Sequence, residues 1–199
     1  TLLLGAAAAL AACGKRQHAK AQALPAGSLV LALGDSITHG TGAAAEAAYP
    51  AQLAQLSGWN VINGGVPGDT SAQGLARLPA LLAEHKPALV IVSLGGNDFL
   101  RRLPDAETEA NLRRSVVVAR DAGAQVVLVA VPRPTLAAAI GVGLSDHPLY
   151  EKVASGLAVP LHAGGWANVL GDDKLKSDQM HANAEGYRVG SPITFAEGL

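Results

Sequence analysis

Two runs in this chain, LVIVSL over residues 89–94 and QVVLVAV over residues 125–131, are continuously apolar and rich in β-branched side chains. A strand with one wet face alternates polar and apolar residues, whereas a strand without alternation must be covered on both faces. Proline or glycine bounds each run, which sets strand length rather than helix length. The runs therefore predict a parallel sheet with helices on both sides. Strands are predicted over residues 29–33, 60–63, 89–94 and 125–130, with a short one near 159–161. Helices are predicted over about 46–56, 71–85, 106–122 and 183–196. Thr70 or Ser71 can cap the helix at 71–85, and Pro87 falls just past its end. This alternation predicts a three-layer α/β/α domain with right-handed crossovers.

In such a sheet, ligands sit beyond the carboxyl ends of the strands. The loops that leave those ends are therefore informative. Gly34-Asp35-Ser36 comes after the first strand, NGGVPGDTS over residues 63–71 after the second, and GGND over residues 95–98 after the third. Each alone reads equally well as a turn. Together they bring three polar, glycine-rich loops to one edge of the sheet.

Ser36 is the candidate nucleophile, and a serine hydroxyl needs a base. There are six histidines. His18 lies in a polar stretch, His85 at a helix end, and His39 in the loop that holds Ser36. His147 and His162 lie in or beside loops. His181 comes three residues after Asp178 in SDQMHAN, a spacing that puts both on one side of a helical turn. The carboxylate can then orient one imidazole nitrogen and leave the other for Ser36. The same four residues also read as a solvated helix start. Acyl chemistry further needs donors for a developing oxyanion. Gly68 can bring its N–H close to a substrate, and Asn97 carries a side-chain amide at the end of a buried strand.

GDSITHG, GGVPGDTS, GGND and SDQMH occur in the order and approximate spacing of the four blocks of the SGNH hydrolases, also called the GDSL esterase/lipase family. The resemblance covers the chain from about residue 29 onward. The run GDTSAQGLARLPALL resembles the bacterial periplasmic thioesterase/lysophospholipase/arylesterase branch. The resemblance implies a flavodoxin-like sandwich with a five-stranded parallel sheet. It implies a serine esterase acting on carboxylic esters or thioesters (acyl esters, lysophospholipid, aryl ester) through an acyl-enzyme. Ser36 would be the nucleophile, His181 the general base and acid, and Asp178 its orienting carboxylate. The oxyanion donors would be the N–H groups of Ser36 and Gly68 and the side chain of Asn97. No metal or organic cofactor is implied.

Three features depart from the branch. Ala182 stands where proline usually comes after the histidine, which removes a fixed φ angle beside His181. Pro67 precedes the glycine of the second block. The segment over residues 132–150, which helps form the acyl pocket in the family, matches less well. A carbohydrate O-deacetylase acting on acetylated cell-envelope glycan is an alternative on the same frame, and a non-catalytic envelope binding protein is another. Leu75, Leu144 and Leu149 lean toward an acyl chain, although lone leucines are usually core.

Residues 1–13, TLLLGAAAALAAC, carry no charge and fit the apolar part of a secretory signal. LAAC resembles the bacterial lipoprotein cleavage box, which implies a lipidated Cys13 and a location in the periplasm or cell envelope. An ordinary secretory signal with an incidental cysteine is the other reading. Residues 14–27 are expected to be a linker and 28–199 the hydrolase domain. Cys13 is the only cysteine, so no internal disulfide can form. Sixteen acidic residues against fifteen basic ones give a net charge of -1. Nucleic acid, which needs a dense positive surface, is therefore not an expected partner. A monomer acting on small-molecule ester or lipid is expected.

Overall fold

The computed structural model of this protein describes residues 21–133 and 143–192. Among these residues five strands form one sheet: β1 (Leu29–Gly34), β2 (Asn60–Gly65), β3 (Leu89–Ser93), β4 (Gln125–Val129) and β5 (Leu161–His162). Every pairing is parallel and the order is β2-β1-β3-β4-β5. The helices are α1 (Ser36–His39), α2 (Tyr49–Ser57), α3 (Ser71–His85), α4 (Gly96–Leu100), α5 (Asp105–Asp121), α6 (Pro148–Leu157), α7 (Gly165–Gly171) and α8 (Ala184–Gly190). The three-layer α/β/α architecture is the one the apolar runs imply.

Strand order explains the layers. The chain passes from β1 outward to β2, then back across β1 to β3. Right-handed crossovers in opposite directions place their helices on opposite faces. Thus α3, α5 and α6 pack side by side, while α2 and α7 pack against α8. The direction reverses between β1 and β3, and the crevice at their carboxyl ends is where such sheets bind ligands. Ser36 lies just past β1 and Asn97 just past β3, so topology alone brings these two residues together.

The strand residues Val30, Leu31, Val90, Val92 and Leu128 are wholly or almost wholly buried. Aliphatic side chains dominate the core, with an aromatic cluster in which Trp166 packs against Tyr49 at 5.8 Å and Tyr187 at 6.0 Å between ring centres. The start of α3 carries the expected cap. Thr70 accepts the Gln73 N–H, and the Gln73 side chain accepts the Thr70 N–H.

Some elements differ from expectation. β5 falls at Leu161–His162, two residues past its predicted start. The helix expected over about 46–56 is a 3-10 turn at Ala45–Ala47 and then α2, because Pro50 fits the first turn of a helix better than its interior. Helices α6 and α7 fill stretches where no helix is predicted. Helix α8 ends at Gly190, and the predicted extension over 193–196 lies outside the described residues. Residues 21–27, part of the expected linker, lie along the domain. Gln22 and Gln125 bond to each other through backbone and side chain, and the Trp59 indole donates to the Leu24 carbonyl at 3.3 Å. Residues 1–20, with Cys13 and His18, lie outside the described residues.

Candidate active site

β1 ends at Gly34, and Asp35 caps the single turn of α1 that begins with Ser36. The Asp35 carboxylate accepts the Ile37 N–H at 3.0 Å. Ser36 thereby sits at a helix start, its side chain facing a cleft of about 810 Å³. His181 reaches it from 145 residues away, with Nε2 at 3.0 Å from Ser36 Oγ. The other ring nitrogen, Nδ1, lies 2.8 Å from Asp178 Oδ2. An ionised carboxylate only accepts, so Nδ1 carries the hydrogen and Nε2 is left to take the serine proton.

The loop that presents His181 is closed without a proline. Lys176 and Ala182 form an antiparallel bridge, whose bonds run from Ser177 N–H to the His181 carbonyl and from Asn183 N–H to the Leu175 carbonyl, both 2.9 Å. Asp178 Oδ1 accepts the N–H groups of Met180 and His181 at 2.7 and 2.9 Å. The bond from His181, aided by these N–H groups, holds the Asp178 carboxyl below the usual aspartate range. Asn183 caps α8 through Gly186 N–H and also donates to the Lys174 carbonyl. Ala182 is itself buried, so packing and bridge geometry do what a fixed φ would have done.

The other two loops meet Ser36 across the cleft. Gly68 adopts φ +85°, a conformation that favours glycine. Gly95, at φ +119°, starts α4, and a Cβ there would collide with the Tyr150 hydroxyl. That hydroxyl donates to the Leu94 carbonyl at 2.7 Å, fixing the end of β3. Asn97 Nδ2 donates to the Asp69 carbonyl at 3.0 Å and lies 3.3 Å from Asp35 Oδ2. Ser36, Gly68, Asn97 and His181 all line the cleft.

Sequence reasoning missed the supporting polar groups. Asp98 is buried and accepts from Ser71 N–H, Ser71 Oγ and Thr108 Oγ1, tying α4 to α3 and α5. Asp69 pairs with Arg77 at 2.7 Å, and Arg77 also donates to the Gly34 carbonyl at 2.8 Å. Arg101 donates to the Gly68 carbonyl at 2.7 Å. The legible signal was position, since each aspartate neighbours a motif residue.

The remaining described histidines do not line the cleft. His39 is exposed at the end of α1 and His85 sits beside Glu84. His162 lies near the Gly190 carbonyl. His147 is buried, stacked 4.6 Å from Phe99 and 3.3 Å from Asp105. Burial pushes the His147 pKa down. Of the three leucines leaning toward an acyl chain, Leu144 lines the cleft. Leu149 is core, because its helix turns that face inward, and Leu75 is half-buried on α3; neither lines the cleft. Pro67, Leu100, Val131, Pro132, Leu170 and Met180 supply the apolar wall instead.

Residues 32–189 match the model of the GDSL-like lipase/acylhydrolase family. The chain is 41% identical over 165 residues to thioesterase 1/protease 1/lysophospholipase L1 of Escherichia coli, covering 80% of this chain and 78% of that protein. It is 37% identical over 139 residues to an arylesterase of Vibrio mimicus, covering 66% and 68%. The crystal structure of TesA superposes with a TM-score of 0.75 at 32% identity, covering 84% of this chain and 96% of that one.

Proposed function

This chain belongs to the GDSL-like lipase/acylhydrolase family, and on that premise we propose that Ser36, His181 and Asp178 hydrolyse a carboxylic ester or thioester through an acyl-enzyme. The protein is a carboxylic ester hydrolase by its relatives and its fold. The observation that carries the residue roles is the hydrogen-bonded line from Asp178 through His181 to Ser36, the last two of which line the cleft.

His181 Nε2 takes the serine proton as Ser36 Oγ attacks the carbonyl carbon. The tetrahedral oxyanion is met by the N–H groups of Ser36 and Gly68 and by Asn97 Nδ2, each such donor contributing about 3–4 kcal/mol to the transition state. The imidazolium then gives its proton to the departing alcohol or thiol. Water attacks the acyl-enzyme with His181 again as base, releasing the acid. Asp178 keeps the ring oriented and stabilises its charged form.

The apolar wall supports an acyl chain longer than acetyl. The relatives named as thioesterase, lysophospholipase and arylesterase support the same choice. Polar side chains, among them Thr41, Asp173, Lys176 and Gln179, also line the cleft, and the deacetylase is the weaker reading because these relatives are named for thioester, lysophospholipid and aryl ester hydrolysis. Residues 1–13 support export to the periplasm or cell envelope, with Cys13 as the site of a lipid anchor; an N-terminal peptide mass lacking a diacylglycerol modification would remove the anchor. The enzyme is proposed to act as a monomer.

The test is hydrolysis of p-nitrophenyl esters from acetate to palmitate by the protein and by Ser36→Ala. Activity that peaks at medium or long chains and vanishes in the variant is expected. Ser36→Ala with wild-type activity would overturn the nucleophile, and activity confined to acetate would restore the deacetylase.

A further inference from the structure

Asp35 takes no part in the acyl-transfer steps, yet it touches both halves of the machinery. It lies between the last residue of β1 and Ser36, and only 3% of it is exposed. Its Oδ1 accepts the Ile37 N–H, which fixes the turn that presents Ser36. Its Oδ2 lies 3.3 Å from the Asn97 amide nitrogen.

A primary amide has two hydrogens in one plane. Asn97 sends one to the Asp69 carbonyl at 3.0 Å and points the other at Asp35 across the longer distance. Both neighbours are acceptors, so they settle the rotation of the carboxamide and place its nitrogen, not its oxygen, on the side of Asp35, the residue before Ser36. The longer contact is the weaker one. Its hydrogen is therefore the one available to share with a newly formed oxyanion without rotation of the carboxamide, while the bond to Asp69 holds the side chain still. Asp69 is in turn fixed by Arg77, which also grips the Gly34 carbonyl.

We propose that Asp35 is a positioning residue whose single carboxylate sets the Ser36 turn and the Asn97 donor in register before substrate arrives. This rests on the reading of Asn97 as an oxyanion donor. Preorganised donors matter because they need no reorientation as charge develops. A carboxylate that grips one partner with each oxygen removes two independent motions at once.

The experiment is a double-mutant cycle in kcat on a p-nitrophenyl ester, using the full chain as wild type, Asp35→Ser, Asn97→Ala and the double variant. Serine still caps the Ile37 N–H but is too short to reach Asn97. Asn97→Ala is expected to lower kcat by about 10²-fold or more. Asp35→Ser is expected to lower kcat by about 10-fold with KM nearly unchanged, and to cost nothing further once Asn97 is gone, because contacting residues that act together are non-additive. Asp35→Asn repeats the cycle if the serine variant fails to fold. It keeps an acceptor for Ile37 but sets one NH₂ against another, so the kcat loss should persist.

An Asp35→Ser loss of equal size in both backgrounds would overturn the proposal and leave the oxyanion reading intact. So would a kcat within about two-fold of wild type, a range that independent sites routinely show. An unchanged kcat in Asn97→Ala would overturn the oxyanion reading of that residue and the positioning role together. Loss of all activity in Ser36→Ala would still hold in that case.

Discussion

Replacing Asp35 with asparagine should make the protein more stable at neutral pH relative to wild type than it does in acid. Burial raises the Asp35 pKa from 3.8 to about 6, against the opposing pull of the Ile37 N–H and of His181; the nearby Asp69 adds to the rise. Between those two values the folded state holds a proton that the unfolded chain has released. Stability then falls as pH rises, because the folded state binds more protons. The full shift corresponds to about 3 kcal/mol of destabilisation once both states are ionised. About 1 kcal/mol of it is already present near pH 4.5, so the gain of Asp35→Asn over wild type should grow by about 2 kcal/mol on going to about pH 7.5. The fixed cost of setting an amide against Asn97 cancels, since it is the same at both pH values. Urea unfolding monitored by the fluorescence of the buried Trp59 and Trp166 reads this directly. A stability difference that is flat with pH, or that shrinks toward neutral pH, would refute the idea of a carboxyl held against its preferred charge.

The same geometry sets other outcomes. Asp178→Asn should lower kcat by about 10⁴-fold with little change in KM, because an amide cannot enforce the Nδ1–H tautomer of His181; steady-state kinetics on a p-nitrophenyl ester checks it. Thr70→Ala removes half of the capping box on α3 and should cost about 1 kcal/mol in urea unfolding. Trp166→Ala empties the space between Tyr49 and Tyr187 and should cost about 3–5 kcal/mol by the same method. His147, whose pKa burial lowers, contributes stability that is fully present above its unfolded pKa of about 6.5 and is lost as pH falls from there through its lower folded value. The stability advantage of wild type over His147→Gln should therefore shrink on acidification, measured as paired unfolding curves.

Legibility in the sequence depended on how local the determinant is. The buried central strands β1, β3 and β4 are continuous apolar runs, and residues 71–85 carry a cap at one end, so these elements could be placed closely. β2 and β5 are edge strands with half-exposed side chains, and their patterns are correspondingly faint. Helix α6 begins at Pro148 with His147 as its cap, a signal hidden within a loop-like stretch. The proposed triad was legible as residue types in motif order. Its closure was not, because it depends on a contact spanning 145 residues. The apolar wall was the least legible part: a leucine on a helix faces core or cleft according to a rotation that only the packed fold defines.

The three buried aspartates show why support escapes a reading that finds the site. Asp35 precedes Ser36, Asp69 comes after Gly68, and Asp98 after Asn97, and each is 7% exposed or less. Neighbouring residues in an extended or helical chain point in different directions. Where the loop after a strand turns one residue toward the cleft, its neighbour is therefore directed inward, among backbone N–H groups that the chain reversal leaves open. A short acceptor such as aspartate satisfies such a donor, or a cationic side chain that reaches the same place, without filling the cleft. Asp98 meets the start of α3, Asp69 meets Arg77, and Asp35 meets the turn of Ser36. Composition records such residues as turn formers, because that is their local behaviour. Their second role arises only when three loops from distant parts of the chain share one corner. Asp35 differs from the other two because it borders the cleft as well as the interior. That is why its charge is the one whose removal should separate stability from turnover.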